Sequence, residues 1–181
     1  TSLLVFLLIL ITVLAPVIAP YNPLEAVMRD ANAAPSAAHL FGTDKLGRDV
    51  LSRILYGASY SLTSVLFLVF LIFVVGTFLG VIAGYFGGIV DTVIMRFADM
   101  MISFPGVILA IAIAGILGGS LVNAMIAMLC VTWTKYARLS RSMVLKIKKR
   151  DFVDAAIVSG GSSAHILWVH ILPNILPLMV I

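Results

Sequence analysis

Apolar and polar residues alternate in long blocks along this chain. From Thr1 to Ala19 there is no charge, and Leu, Ile and Val dominate. About 20 apolar residues at ~1.5 Å each cross the hydrocarbon core of a bilayer. Residues 1–19 therefore predict a first transmembrane helix. The Ala15–Pro20 stretch mimics a signal-peptide cleavage site, but a signal sequence has a shorter apolar region. Later spans also need an even count of crossings before the basic loop described below.

Residues 20–59 form a long polar stretch, opened by Pro20, Asn22 and Pro23, which deny it a continuous helix. Within it, Thr43 or Asp44 is placed to cap a helix from about Leu46. Val50, Leu51, Ile54 and Leu55 then share one face, the pattern of a helix lying on the membrane surface. Residues 61–86 predict a second span without charge. Gly76, Gly80 and Gly84 recur every fourth residue there, which predicts a face where another helix packs closely. Gly87-Gly88 predicts a turn, and Asp91, Arg96 and Asp99 sit near a helix start, with Arg96 and Asp99 spaced to pair.

Met100 to Thr134 is again uncharged. As one helix it would measure about 52 Å against a core of ~30 Å, so it predicts two spans. Gly118-Gly119-Ser120 marks the break, and Pro105-Gly106 marks a kink in the first of the two. The fourth span leaves the lipid at Trp133, Lys135, Tyr136 and Arg138, where aromatic and snorkelling basic side chains gather. Ile175 to Ile181 begins a fifth. The expectation is an all-α, polytopic transmembrane helical bundle. It holds about four complete spans and the start of a fifth, as a fragment of a longer chain.

Composition agrees. Hydrophobic residues make up 62% and charged residues 11%, and the mean hydropathy is +1.16. A soluble domain has roughly 45–50% apolar and about 25% charged residues. The net charge of +4 is clustered, so it reports topology rather than a nucleic-acid partner. Lys135, Arg138, Arg141, Lys146, Lys148, Lys149 and Arg150 crowd one region, the mark of a cytoplasmic flank. In residues 20–59 the charges balance, as in an external segment: Arg29, Lys45, Arg48 and Arg53 against Glu25, Asp30, Asp44 and Asp49. The lone Cys130 excludes an intrachain disulfide. His39 is external, while His165 and His170, five apart, do not stack on one face of an α-helix as a metal pair would. There is no phosphate loop of the GxxxxGK[ST] type. Nothing here forms a catalytic set or hydrolyses ATP.

After the basic cluster comes an amphipathic loop at about 143–173. One helix is expected from about Met143 to Val158 and a second from the cap Ser162 to Ile171. Gly160-Gly161 is the bend between them, and Pro173 the stop. Asp154-Ala155-Ala156, then Gly160 six residues after the aspartate, then Ile171-Leu172-Pro173, resembles the EAA loop of ABC importer permeases. Asp154 stands where that family usually has Glu. The segment GTD-x-x-GRD-x-x-SR from Gly42 to Arg53 resembles the stretch after the first span in the peptide/nickel branch of these permeases.

The resemblance implies a type I importer permease of the bacterial inner membrane, with the first helix at 1–19, the external segment at 20–59 and the permease core at 60–181. It implies that Asp154, Ala155, Ala156, Ile157, Gly160, Leu172 and Pro173 form a cytoplasmic coupling element docked on an ATPase. It also implies a homologous second permease subunit, two cytoplasmic ATPases and an external solute-binding protein. No cofactor is implied for this chain, since ATP and magnesium belong to the ATPases. The cargo is a short peptide, or nickel or its chelates; Trp133-x-x-Tyr136-Ala137-Arg138-Leu139 with Arg141-Ser142 is closer to the nickel type. Two other classes stay open: a non-transporting membrane scaffold that anchors lipid or a partner through the basic loop, and a secondary transporter. The second is weakened because no ionisable residue is expected at a span centre.

Overall fold

The structure, a computed structural model, describes the backbone of residues 2–180 and the side chains of residues 9, 10 and 12–179. Among the described residues the fold is all-α, with an isolated β-bridge between Thr43 and Asp49. The helices are α1 (Ser2–Ile18), α2 (Val50–Phe86), α3 (Gly88–Ile102), α4 (Gly106–Leu117), α5 (Leu121–Ile147), α6 (Asp151–Val158), α7 (Ser163–His165) and α8 (Leu172–Val180). A π-helical stretch, Ile166–Ile171, joins α7 to α8 without a break. The chain divides into two compact units, Thr1–Phe67 and Leu68–Ile181.

The first unit is ordered by the side chains of its polar segment. Asp44 Oδ1 accepts from the amides of Leu46 at 2.8 Å and Arg48 at 3.0 Å, closing a turn. Asp44 Oδ2 takes the Arg48 Nε–H at 2.9 Å and also pairs with Arg53. Gly47 has φ +73°, and a β-carbon there would lie 1.8 Å from the Val27 carbonyl oxygen. The helix starts at Val50, not near Leu46. Its cap is Asp49, whose Oδ2 accepts the Ser52 amide at 2.8 Å, rather than Thr43 or Asp44. The reason is that Asp44 is already committed to its own turn. The expected surface helix and the span from residue 61 are one continuous helix of 37 residues, α2. No proline lies between Pro35 and Pro105. Ser64, which could have broken the helix, back-bonds to the Tyr60 carbonyl at 2.7 Å.

In the second unit α3, α4 and α5 pack together, and α5 also meets α8. The proline kink is a full break: α3 and α4 meet at 92° across Ser103–Pro105. Pro105 has no amide to give and Gly106 opens the next helix. The α4–α5 turn is closed by side chains. Asn123 Nδ2 donates to the carbonyls of Leu117 at 2.6 Å and Gly118 at 3.1 Å, while Ser120 Oγ accepts the Asn123 amide at 3.1 Å. Among the described residues one helix, α2, is long and apolar enough to cross a membrane; α3 and α4 reach that measure only as a bent pair. α1 has 17 residues and α4 has 12.

The glycine row of α2 faces α5. A β-carbon on Gly80 would sit 2.0 Å from Ser140 Oγ and 2.1 Å from the Ala137 carbonyl. One on Gly76 would sit 2.6 Å from the Trp133 carbonyl, and one on Gly84 2.9 Å from Val144 Cβ. Below this seam a core forms from Val81, Tyr85, Val144, Val153, Ile166 and Ile171.

Candidate functional site

The charged end of α5 is tied to α3. Arg141 Nε and Nη2 both donate to the Asp91 carboxylate at 2.5 Å, and Arg138 pairs with Asp99. Asp99 therefore pairs with Arg138 rather than with Arg96, because α5 brings a guanidinium to the α3 face. At the end of α5, Lys148 Nζ donates to the Tyr85 carbonyl at 2.6 Å and lies 5.3 Å from the centre of the Tyr85 ring.

The loop that follows is two helical pieces held on the core. The expected helix from Met143 is interrupted: α5 ends at Ile147, a turn intervenes, and α6 begins at Asp151. Asp151 and Asp154 occupy the first turn of α6, where negative charge suits the helix dipole. α6 buries Val153 completely and packs Ala156 on the same core. Its other face is exposed: Asp154 and Ala155, with Ile157 at 48% and Val158 at 88% accessibility. Gly160, at φ +81°, turns the chain back, and its amide donates to the Ile157 carbonyl at 3.0 Å. The Gly161 amide donates to Ala156 O, also at 3.0 Å. Ser162 Oγ then caps α7, accepting the His165 amide at 3.2 Å.

Pro173 does not stop the helix. It sits exposed in the first turn of α8, which runs on to Val180, and Leu172 is half-buried against the core. The π stretch accommodates the proline. The Leu172 amide bonds back to Leu167, and Asn174 Nδ2 covers the His170 carbonyl at 2.6 Å. Such local π adjustments are the usual way a membrane helix tolerates proline. They also bring His165 and His170 together. With five residues between successive bonded turns, their rings meet edge-on with centroids 5.6 Å apart, contrary to the expectation for an α-helix. Among the described residues no third His, Cys, Asp or Glu joins them as a metal cluster.

The arrangement is a small bent projection on a rigid base. Ala155, Ile157 and Val158 face outward beside the acidic Asp154, while Val153, Ile166 and Ile171 anchor it. Sequence reasoning did not find the Asp91–Arg141 and Asp99–Arg138 pairs, although the matched spacing of acids on α3 and basic residues on α5 carried the signal.

Residues 76–181 match the family of binding-protein-dependent transport system inner membrane components, and the chain belongs to that family. It is 42% identical, over 98% of its length, to the dipeptide transport system permease protein DppC of Haemophilus influenzae, covering 63% of that protein. It is 37% identical over its full length to the probable D,D-dipeptide transport system permease protein DdpC of Escherichia coli, covering 61%. To the glutathione transport system permease protein GsiD of Pectobacterium atrosepticum it is 39% identical over 96% of its length, covering 58%. The chain thus spans under two thirds of the length of these relatives.

Proposed function

We propose that this chain is part of a permease subunit of an ATP-driven importer of short peptides, coupled to cytoplasmic ATPases through α6. The observation that carries the reading is the exposed, partly apolar projection Asp154–Val158 on a buried base, within a chain of the permease family. The similar proteins carry dipeptide and glutathione in their names, and peptide is therefore the cargo class proposed here over nickel. α1, α2, the bent α3–α4 pair and α5 would supply four crossings, and α8 would begin the fifth. The proposed partners are a second permease subunit, two ATPases that hold ATP and magnesium, and an external binding protein.

The test is uptake and binding-protein-stimulated ATP hydrolysis by the full-length complex in vesicles. Ala156 packs on its own core, so a change there confounds folding with docking. Val158→Arg alters a side chain that supports nothing within the chain. Uptake and stimulated hydrolysis should fall together by tenfold or more, because an apolar contact is replaced by a charge that loses its water on docking. Wild-type rates for Val158→Arg and Ile157→Asp would exclude α6 as the coupling element.

A further inference from the structure

At the α3–α4 break a cavity of about 350 Å³ opens against α5, lined by Met101, Phe104, Val107, Met128, Thr132 and Lys135. Its size falls at the lower end of the range for small-ligand sites, about 300–1,000 Å³. Its walls are apolar and adaptable. Methionine is flexible and polarisable and recurs on surfaces that accept varied partners. Thr132 is satisfied by its own helix, donating to the Met128 carbonyl at 2.7 Å. Lys135 differs. The carboxylates of α3 are engaged by Arg138 and Arg141, and among the described residues no acid pairs with Lys135.

Gly76 of α2 lies against the Trp133 carbonyl and Tyr136 Cβ, so Lys135 stands at the level of Gly76. Lys135 is exposed and stands twelve residues, about 18 Å of helix, before the end of α5 at Ile147. A lysine beside an apolar cavity, with no acid of its own among the described residues, is left available to a ligand's carboxylate.

We propose that this cavity is a cargo site in which Lys135 receives the C-terminal carboxylate of a short peptide and the Met101–Phe104–Met128 wall accepts its side chains. The proposal rests on the peptide-importer reading above. One cation within an apolar, deformable wall fits a ligand class that shares a carboxylate and varies in everything else.

The test uses the assembled full-length complex in vesicles and compares uptake of a dipeptide with that of its C-terminal amide. In the Lys135→Met complex the preference for the free carboxylate should shrink tenfold or more, with a raised KM, and Lys135→Arg should restore it. A second measurement places the cargo. In a Cys130→Ser background, Met128→Cys should react with a small thiol reagent, and the dipeptide should slow that reaction while the amide does not. Undiminished preference in Lys135→Met, or no protection of Cys at 128, overturns the site. So does a loss of complex assembly in Lys135→Met rescued by Arg, with preference unaltered, which would assign the lysine to an acidic residue of another subunit. If the wild-type complex imports no peptide at all, the importer reading falls and the site with it.

Discussion

Gly80 has no room for a single added carbon. The 2.0 Å and 2.1 Å approaches to Ser140 Oγ and the Ala137 carbonyl involve helix backbone and a hydroxyl already donating to the Tyr136 carbonyl at 2.8 Å. Neither can retreat without moving α5. Gly80→Ala should thus suffice to open the α2–α5 seam, at a cost of about 1–3 kcal/mol for overpacking. The yield and melting temperature of the purified complex should both drop, and Gly80→Leu should abolish assembly. By contrast Gly57 has open space where its β-carbon would stand, and Gly57→Ala should be neutral or slightly stabilising. Equal yields for Gly80→Ala and Gly57→Ala would mean that α2 and α5 do not touch. The four-residue glycine spacing was readable as a packing face because lipid rewards close backbone approach rather than apolar burial.

Among the elements, the segment from Gly42 to Arg53 shows what a motif is for. Desolvation pushes the Asp44 carboxyl up, but bonds from the Arg48 side chain and from the Arg48 and Leu46 amides outweigh it and hold it far below the usual carboxylate range. Asp49 is likewise pushed up by burial, and pulled lower overall by the Ser52 amide and His39, whose Nδ1 lies 3.0 Å from Asp49 Oδ1. Both acids titrate lower folded than unfolded. Their contribution is complete above the unfolded carboxylate value near ~3.9 and fades as pH falls through the lowered folded values. Limited proteolysis of the assembled complex should find residues 19–49 protected at pH 5 and cut progressively faster on the acid side of pH 4. Asp49→Ala should be cut rapidly already at pH 7, since it loses the α2 cap and the His39 contact together. Equal protection of Asp49→Ala would show that the cap is dispensable. The sequence exposed the residue types but not the division of labour. Two aspartates five apart can each close a turn or cap a helix, and only the Gly47–Val27 contact decides which does which. The same limit applied at Pro173. The rule that proline ends helices assumes α-helical bonding, and the π stretch removes the clash while joining two histidines that an α-helix would separate.

At the scale of the whole molecule, hydropathy made the membrane class plain, but it could not set the limits of the helices. Apolar runs measure composition; helix ends are set by caps and breaks, so a surface helix merged into α2, and the run from Met100 was cut at Pro105 as well as at Gly118. α5 likewise runs past the aromatic and basic residues at Trp133–Arg138 and ends only at Ile147. Orientation remains a matter of charge, and α5 tests it by itself. Its first turn follows Gly119, which is exposed, with open space beside it. Its end precedes Lys149, exposed within the run of basic residues that marks a cytoplasmic flank. In a Cys130→Ser background, Gly119→Cys should react with an impermeant thiol reagent added to intact cells. Lys149→Cys should react only after the membrane is opened. Neither substitution removes a contact that holds α5, so both proteins should insert as the parent does. Labelling of Lys149→Cys from outside, with Gly119→Cys protected, would invert the orientation and put α6 on the side of the membrane where no ATPase can reach it.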